Sequence, residues 1–183
     1  MNINLQIKSI QQESFLLTSK IYDLDLLNNL KNFVKNNINQ ELYAKTNVIG
    51  GFTGFNSLVE NEFFIKFIKS IKKEILMISD GNFIIKNAWG NLCKKGEEVL
   101  EHNHSGIDFF CGILYLTENG PGTYFKEYNI NINEEIGKFV LFDPLLKHSV
   151  PKIENEIERV SIAFNAIKFK SWEDYTDLKM DKI

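Results

Sequence analysis

Around residue 82 the apolar residues of this chain switch from helical spacing to strand-like alternation, and the alternation runs on to about residue 168. Upstream, LDLLNNLKNFVKNNINQE (24–41) places Leu26, Leu27, Leu30, Phe33, Val34 and Ile38 on one face of an amphipathic helix, with Asp23 or Asp25 as its cap. NEFFIKFIKSIKKEILMIS (61–79) repeats the pattern. Downstream, strands are expected near 83–92, 98–104, 109–117, 122–128, 137–143, 148–153 and 158–168. The turn signals KKGEE, ENGPGT, NEEIG, FDPLL and IENEIE separate them. Many short strands without intervening helices call for antiparallel sheets packed as a sandwich, jelly roll or barrel. The expected organisation is one domain over 1–183: a helical cover (1–81) on an outer sheet face, a mostly β core (82–169), and a polar peripheral tail (170–183).

Two segments lie outside this periodicity. INLQIKSI near the start reads as short and extended. NVIGGFTGFNSL (47–58) is rich in glycine and aromatics and reads as a loop. With no strand before it and no Lys-Ser/Thr after it, it is not a phosphate-binding loop.

Several function classes drop out on composition. The net charge is −3 and no dense basic block occurs, so nucleic acid is not an expected partner. KSIKK (69–73) is the solvated face of a helix. No apolar run approaches the roughly 20 residues of a membrane helix, and MNINLQIKSIQQ lacks the architecture of a secretory signal. A reducing cytoplasm is the expected location, with Cys93 and Cys111 as buried apolar residues rather than a disulfide framework.

The three histidines carry the chemistry. His102 and His104 stand one residue apart in VLEHNHSGIDFF, and His148 follows in LFDPLLKHSVPK. On a strand, positions i and i+2 share a face about 6.5 Å apart, so His102 and His104 can converge on one point. A metal held by them needs a further ligand, and His148, at the start of a late strand, is the histidine available. Imidazole suits Zn, Cu, Fe and Ni, so ligand type alone does not choose among them. The plain alternative is that these are surface or hydrogen-bonded histidines.

The chain is rich in lysine yet holds a single arginine, Arg159, eleven residues after His148 in RVSIAFN. Arg159 and Ser161 share a strand face and present a guanidinium fork beside a hydroxyl. That pair suits a carboxylate held inside a barrel, where a buried acid needs both charge and hydrogen bonds. The competing reading is an ion pair between Arg159 and Glu158 or an acid of the preceding turn.

Taken together, His-x-His, a distant His, and Arg-x-Ser some ten residues later resemble the iron(II)- and 2-oxoglutarate-dependent oxygenases, whose fold is a double-stranded β-helix (a cupin-like jelly roll). More narrowly, GGFTGF, AWGN, HNHSG, GILYL, FVLFDPLLKHSVPK and RVSIAFN run collinear, over residues 45–168, with a small subfamily common in marine bacteria and phages. The resemblance implies that His102, His104 and His148 ligate iron(II). It implies that Arg159 and Ser161 grip the distal carboxylate of 2-oxoglutarate. The activity would consume molecular oxygen, release succinate and CO₂, and hydroxylate a small-molecule or peptidyl substrate.

The commonest triad of that superfamily is two histidines and a carboxylate, and His104 stands where the acid belongs. Three histidines, a carboxylate from elsewhere (Asp108 is nearest), or His104 followed by an empty position at Gly106 all remain open, the last being the halogenase arrangement. Asn91 and Trp89 share a strand face and are candidates to line the cavity. Tyr115, with room left by Gly112, is a candidate hydrogen-bond partner of the co-substrate. GGFTGF is a candidate substrate lid or a plain packing connection. The rivals are a cupin-like metalloenzyme that uses no 2-oxoglutarate, and a non-enzymatic jelly-roll binding module.

Overall fold

A computed structural model describes residues 14–39, 46–78, 83–107 and 109–168. The expected extended start, the polar tail and Asp108 lie outside the described residues. In chain order the elements are β1 (Leu16–Lys20), α1 (Leu24–Asn36), β2 (Val48–Ile49), β3 (Gly51–Phe52), α2 (Glu62–Ser70), α3 (Lys72–Ile78) and β4 (Phe83–Cys93). There follow β5 (Glu98–His102), β6 (Phe110–Tyr115), β7 (Thr123–Phe125), β8 (Ile130–Ile132), β9 (Lys138–Phe142), β10 (His148–Val150) and β11 (Arg159–Lys168).

The strands form two antiparallel sheets, one of six strands in the order β1-β9-β6-β11-β4-β3 and one of five in the order β2-β5-β10-β7-β8. Sequence neighbours are mostly not sheet neighbours. Short connections therefore carry the chain back and forth between the sheets, as in an antiparallel sandwich of the jelly-roll kind.

The helices follow their apolar stripes. Asp23 caps α1 by accepting from the Leu26 N–H at 3.0 Å and also pairs with Lys66 of α2 at 2.9 Å. Leu26, Leu27, Leu30 and Val34 are buried against the larger sheet in one cluster with Phe64, Phe67 and Ile68 of α2 and Ile85, Ile162 and Phe164 of β4 and β11. The approach is close. A Cβ on Gly90 would stand 2.5 Å from the Val34 side chain, so any larger residue there would push α1 off β4. The stretch expected as one helix over 61–79 is two, because Ile71 leaves helical geometry while its side chain stays fully buried.

Two further differences have physical causes. GGFTGF is not a free loop. Gly51 and Phe52 pair with Leu92 and Asn91, Thr53 and Gly90 exchange hydrogen bonds, and the Ala88 N–H donates to the Phe55 carbonyl. The segment is thus laced to β4 along its length, a fixed wall rather than a lid. β1 and β8 escaped the sequence reading because each is a short edge strand whose pairing with β9 or β7 is made by the tertiary fold. Among the described residues, no helix is long and apolar enough to cross a membrane.

Candidate metal and co-substrate site

The space between the sheets holds a cavity of about 240 Å³, and all three histidines border it together with Arg159 and Ser161. His102 closes β5 and His148 opens β10, and the two are register partners across the antiparallel pair. His104 comes to the same point by a different route from the one expected. The strand ends at His102, and His104 sits in the turn beyond it, where its N–H donates to the Pro144 carbonyl at 2.8 Å. Ring centroids lie 4.4 Å apart for His102–His148, 5.0 Å for His102–His104 and 5.2 Å for His104–His148. One ring nitrogen from each falls within 4.8 Å of the others. Three imidazole donors at that separation fit one transition-metal ion.

The tautomers suit that role. The Nδ1 of His102 lies 2.7 Å from the Leu100 carbonyl, and the Nδ1 of His148 lies 3.0 Å from the Leu146 carbonyl. A carbonyl only accepts, so each Nδ1 carries the proton and each Nε2 keeps its lone pair for a metal. Burial lowers the pKa of all three, to about 4 for His104 and about 3 for His148, with the neighbouring imidazoles adding to the effect for those two. Neutral imidazole is the ligating form, so the site is poised to bind metal without first expelling protons.

One turn organises two of the histidines. Asp143 accepts from the Leu145 N–H through Oδ1 (2.8 Å), and its carbonyl accepts from the Leu146 N–H (3.0 Å). This closes the turn Asp143-Pro144-Leu145-Leu146, whose Pro144 carbonyl anchors His104 and whose Leu146 carbonyl orients His148.

Arg159 opens β11 and is 1% exposed. It makes no direct ion pair among the described residues: Glu158 faces outward to Lys35 and Lys94, while Glu134, whose carboxyl pKa burial raises, lies near enough for the guanidinium to pull against that effect. Arg159 Nε donates to the Pro121 carbonyl (3.1 Å) and Nη1 donates to Ser161 Oγ (2.9 Å). The guanidinium also lies 5.5 Å from the Tyr115 ring centroid, a cation–π contact that steadies it. A buried, permanently charged fork with no direct ion pair among the described residues, beside a cavity, can take an anion.

The other candidates divide. Asn91 is register partner of Ser161, is buried and borders the cavity, and its side chain makes no hydrogen bond among the described residues. Trp89 borders the cavity too, edge-on to Phe52 and Phe55. Tyr115 does not border it. Its hydroxyl donates to Thr123 Oγ1 at 2.7 Å, and its ring backs Arg159 from behind. Gly112 does make room, but for the Phe164 ring, which would lie 2.1 Å from an added Cβ. Cys93 and Cys111 are free and buried, and burial raises both thiol pKa values, Cys93 to about 11. Gly106 lies in the turn after His104 with open space around it.

Thr123 and Asn165 border the cavity and escaped the sequence reading, whereas Phe55 belongs to the GGFTGF segment already singled out. Asn165 carried a usable signal, since it continues the alternation Arg159, Ser161, Ala163 as a polar residue on the inward face. Thr123 carried none, because only the packing of the sheets brings it to the cavity.

No family model matches the chain, and no curated protein matches its sequence. Solved structures do match in fold. A viral collagen prolyl hydroxylase from Paramecium bursaria Chlorella virus-1, in complex with 2-oxoglutarate, superposes with a TM-score of 0.62 at 16% identity over 81% of this chain and 94% of its own. A Pseudomonas putida prolyl-4-hydroxylase gives 0.61 at 15% over 85% and 93%. HygX from Streptomyces hygroscopicus, with nickel, 2-oxoglutarate and hygromycin B bound, gives 0.65 at 10% over 90% of each chain. At these identities the likeness establishes that the chain shares the fold of those enzymes.

Proposed function

We propose that this protein is an iron(II)- and 2-oxoglutarate-dependent oxygenase of the hydroxylase type. It would be a single cytoplasmic domain built on a double-stranded β-helix with an N-terminal helical cover, akin to the subfamily common in marine bacteria and phages. The observation that carries the proposal is the presence, on one cavity, of a three-imidazole cluster and a buried arginine with no direct ion pair among the described residues. Either alone would be compatible with a cupin-like enzyme or a binding module. Like-folded proteins that hold 2-oxoglutarate, one of them beside nickel, agree with the reading.

In this reading His102, His104 and His148 would hold the metal, His102 and His148 through Nε2 because the backbone carbonyls of Leu100 and Leu146 hold those two rings in the ligating tautomer. Arg159 and Ser161 take the distal carboxylate of 2-oxoglutarate, and Asn91 lies beside that site. Three neutral ligands leave the full metal charge uncompensated, which favours a dianionic keto-acid. Tyr115 and Pro121 hold the guanidinium in place, and buried Phe142 and Val150 help keep the cavity dry. Iron(II) and 2-oxoglutarate bound there would supply the oxidation, in which substrate C–H, O₂ and 2-oxoglutarate become C–OH, succinate and CO₂.

The test is an anaerobic titration of the protein with Fe(II) and 2-oxoglutarate, followed by admission of air. A visible metal-to-keto-acid charge-transfer band, then succinate release, is the expected result. Metal binding with no such band would overturn the reading.

A further inference from the structure

Resting on the oxygenase reading, we infer that Asn165, Trp89 and Phe55 form the primary-substrate subsite, and that it takes an uncharged, amide-bearing group. Inward residues of β11 run Arg159, Ser161, Ala163, Asn165, and the strand advances about 3.3 Å per residue. Asn165 therefore stands roughly 20 Å along the strand from Arg159. It lies at the histidine end, since it pairs with Cys111, Cys111 pairs with Phe142, and the Phe142 ring lies 4.7 Å from that of His148. Pairing of β11 with β4 slips directly after Asn165, the kind of irregularity that re-aims a side chain beside a site.

Asn165 is 5% exposed, borders the cavity, and its carboxamide makes no hydrogen bond among the described residues, with Oδ1 fully buried and unpartnered. An unpartnered buried carboxamide oxygen is costly, and a donor N–H from a bound group would satisfy it. A carboxamide offers a donor and an acceptor in one plane, and its best complement is another amide, which offers the same pair reversed.

Beside it stands an aromatic wall. Trp89 pairs in register with Ala163 and its ring lies 6.5 Å from that of His104. Phe55 packs 5.3 Å from Trp89 and is 50% exposed at the cavity mouth. Because the segment carrying Phe55 is tied to β4, that exposed ring is a fixed surface for an entering group. Charge completes the selection. Among the described residues bordering the cavity, Arg159 alone carries a fixed charge, and it sits at the far end. Apart from the metal, whose charge bound 2-oxoglutarate would neutralise, no described residue bordering the histidine end would pair with an ammonium, carboxylate or phosphate, so a charged group would be desolvated without compensation.

The test measures succinate release by the Fe(II)-loaded protein with 2-oxoglutarate and a panel of N-acetyl amino-acid amides bearing uncharged, acidic or basic side chains. Simple carboxamides and the matching N-acetyl methyl esters complete the panel. Uncharged amides should stimulate release over the substrate-free rate, with charged ones and esters at least about 10-fold less efficient. The blocked amino acids and the simple carboxamides separate a peptide unit from a free small amide. Asn165→Ala should narrow the gap between amide and ester, and Phe55→Ala, at an exposed position that does not endanger folding, should raise the half-saturating amide concentration about 10-fold. Equal stimulation by charged compounds or by esters, or no stimulation by any amide, would overturn the subsite while substrate-free succinate release leaves the oxygenase reading standing. Absence of both that release and the charge-transfer band would remove the oxygenase reading and the subsite with it.

Discussion

His102 and His148 face each other as register partners at the ends of two neighbouring strands, their rings 4.4 Å apart and each Nδ1 tied to a carbonyl two residues upstream. The same local device thus presets both Nε2 atoms. Replacing either ring leaves the other in place but takes away one donor of a preorganised set. His148→Gln should weaken Ni(II) or Fe(II) binding by about 100-fold or more, given that even outer-shell changes cost 10- to 100-fold. Calorimetric titration of the metal-free protein measures this, and unchanged affinity would remove His148 from the ligand set.

His104 is fixed by its backbone rather than its ring, through the Pro144 carbonyl. A substitution there changes the donor without moving the chain. His104→Asp should keep metal affinity within about 10-fold, since a carboxylate completes a facial triad, whereas His104→Ala should lose about 100-fold. If His104→Ala binds metal as the parent does, the third donor lies elsewhere, and Asp108 becomes the residue to substitute.

Arg159→Lys separates the proposed function from a cupin-like enzyme without 2-oxoglutarate. Lysine keeps the charge but cannot donate to Pro121 and Ser161 while also presenting a fork to a carboxylate. The half-saturating 2-oxoglutarate concentration should rise about 10- to 100-fold, the worth of a charge-assisted hydrogen bond or two, with metal affinity unmoved. A rise of less than about 2-fold, well below what one such bond contributes, would favour the rival.

Much of this architecture was legible in the sequence because it rests on local chemistry. Alternation located β4, β6, β9 and β11 to within two residues at either end, and the apolar stripe of α1 matches the face it buries. Arg159, Ser161 and the histidines reach one cavity, as their residue types and order led one to expect. What stayed hidden depends on tertiary pairing. GGFTGF has the composition of a loop, and only the edge of β4 makes it a strand and a wall. His104 looked like the next inward residue of β5, but the strand stops at His102 and a carbonyl from the 143–146 turn brings His104 in.

That turn yields a prediction about positioning. Asp143 is buried and touches no imidazole in the hydrogen-bond network; it holds the turn whose carbonyls hold His104 and His148. Asp143→Ala removes the bond to the Leu145 N–H. Metal affinity should fall about 10-fold, the lower range for groups acting through ligands. Asp143→Asn, which keeps an acceptor oxygen, should restore it. Equal loss in both variants would mean that the carboxylate charge, not the turn, is what the site uses.

The buried histidines also set how the metal-free protein responds to acid. An unfolded histidine titrates near pH 6.5, whereas the folded values are about 4 for His104 and about 3 for His148. Below about pH 6.5 the unfolded chain therefore binds protons that the folded protein refuses, and stability falls as the pH drops, down to the folded values. Glu134 works the other way, because burial raises its folded pKa and the folded state takes its proton first. The histidine contribution is isolated by comparing the parent with a His104→Gln/His148→Gln variant, in which every other group titrates alike. Between pH 7 and pH 4.5 the urea midpoint of the metal-free parent should fall more steeply than that of the variant. Ni(II) at saturating concentration should delay the fall in the parent, because the metal competes with protons for the same nitrogens. Parallel midpoints across that range would show that these imidazoles are not held neutral by the fold.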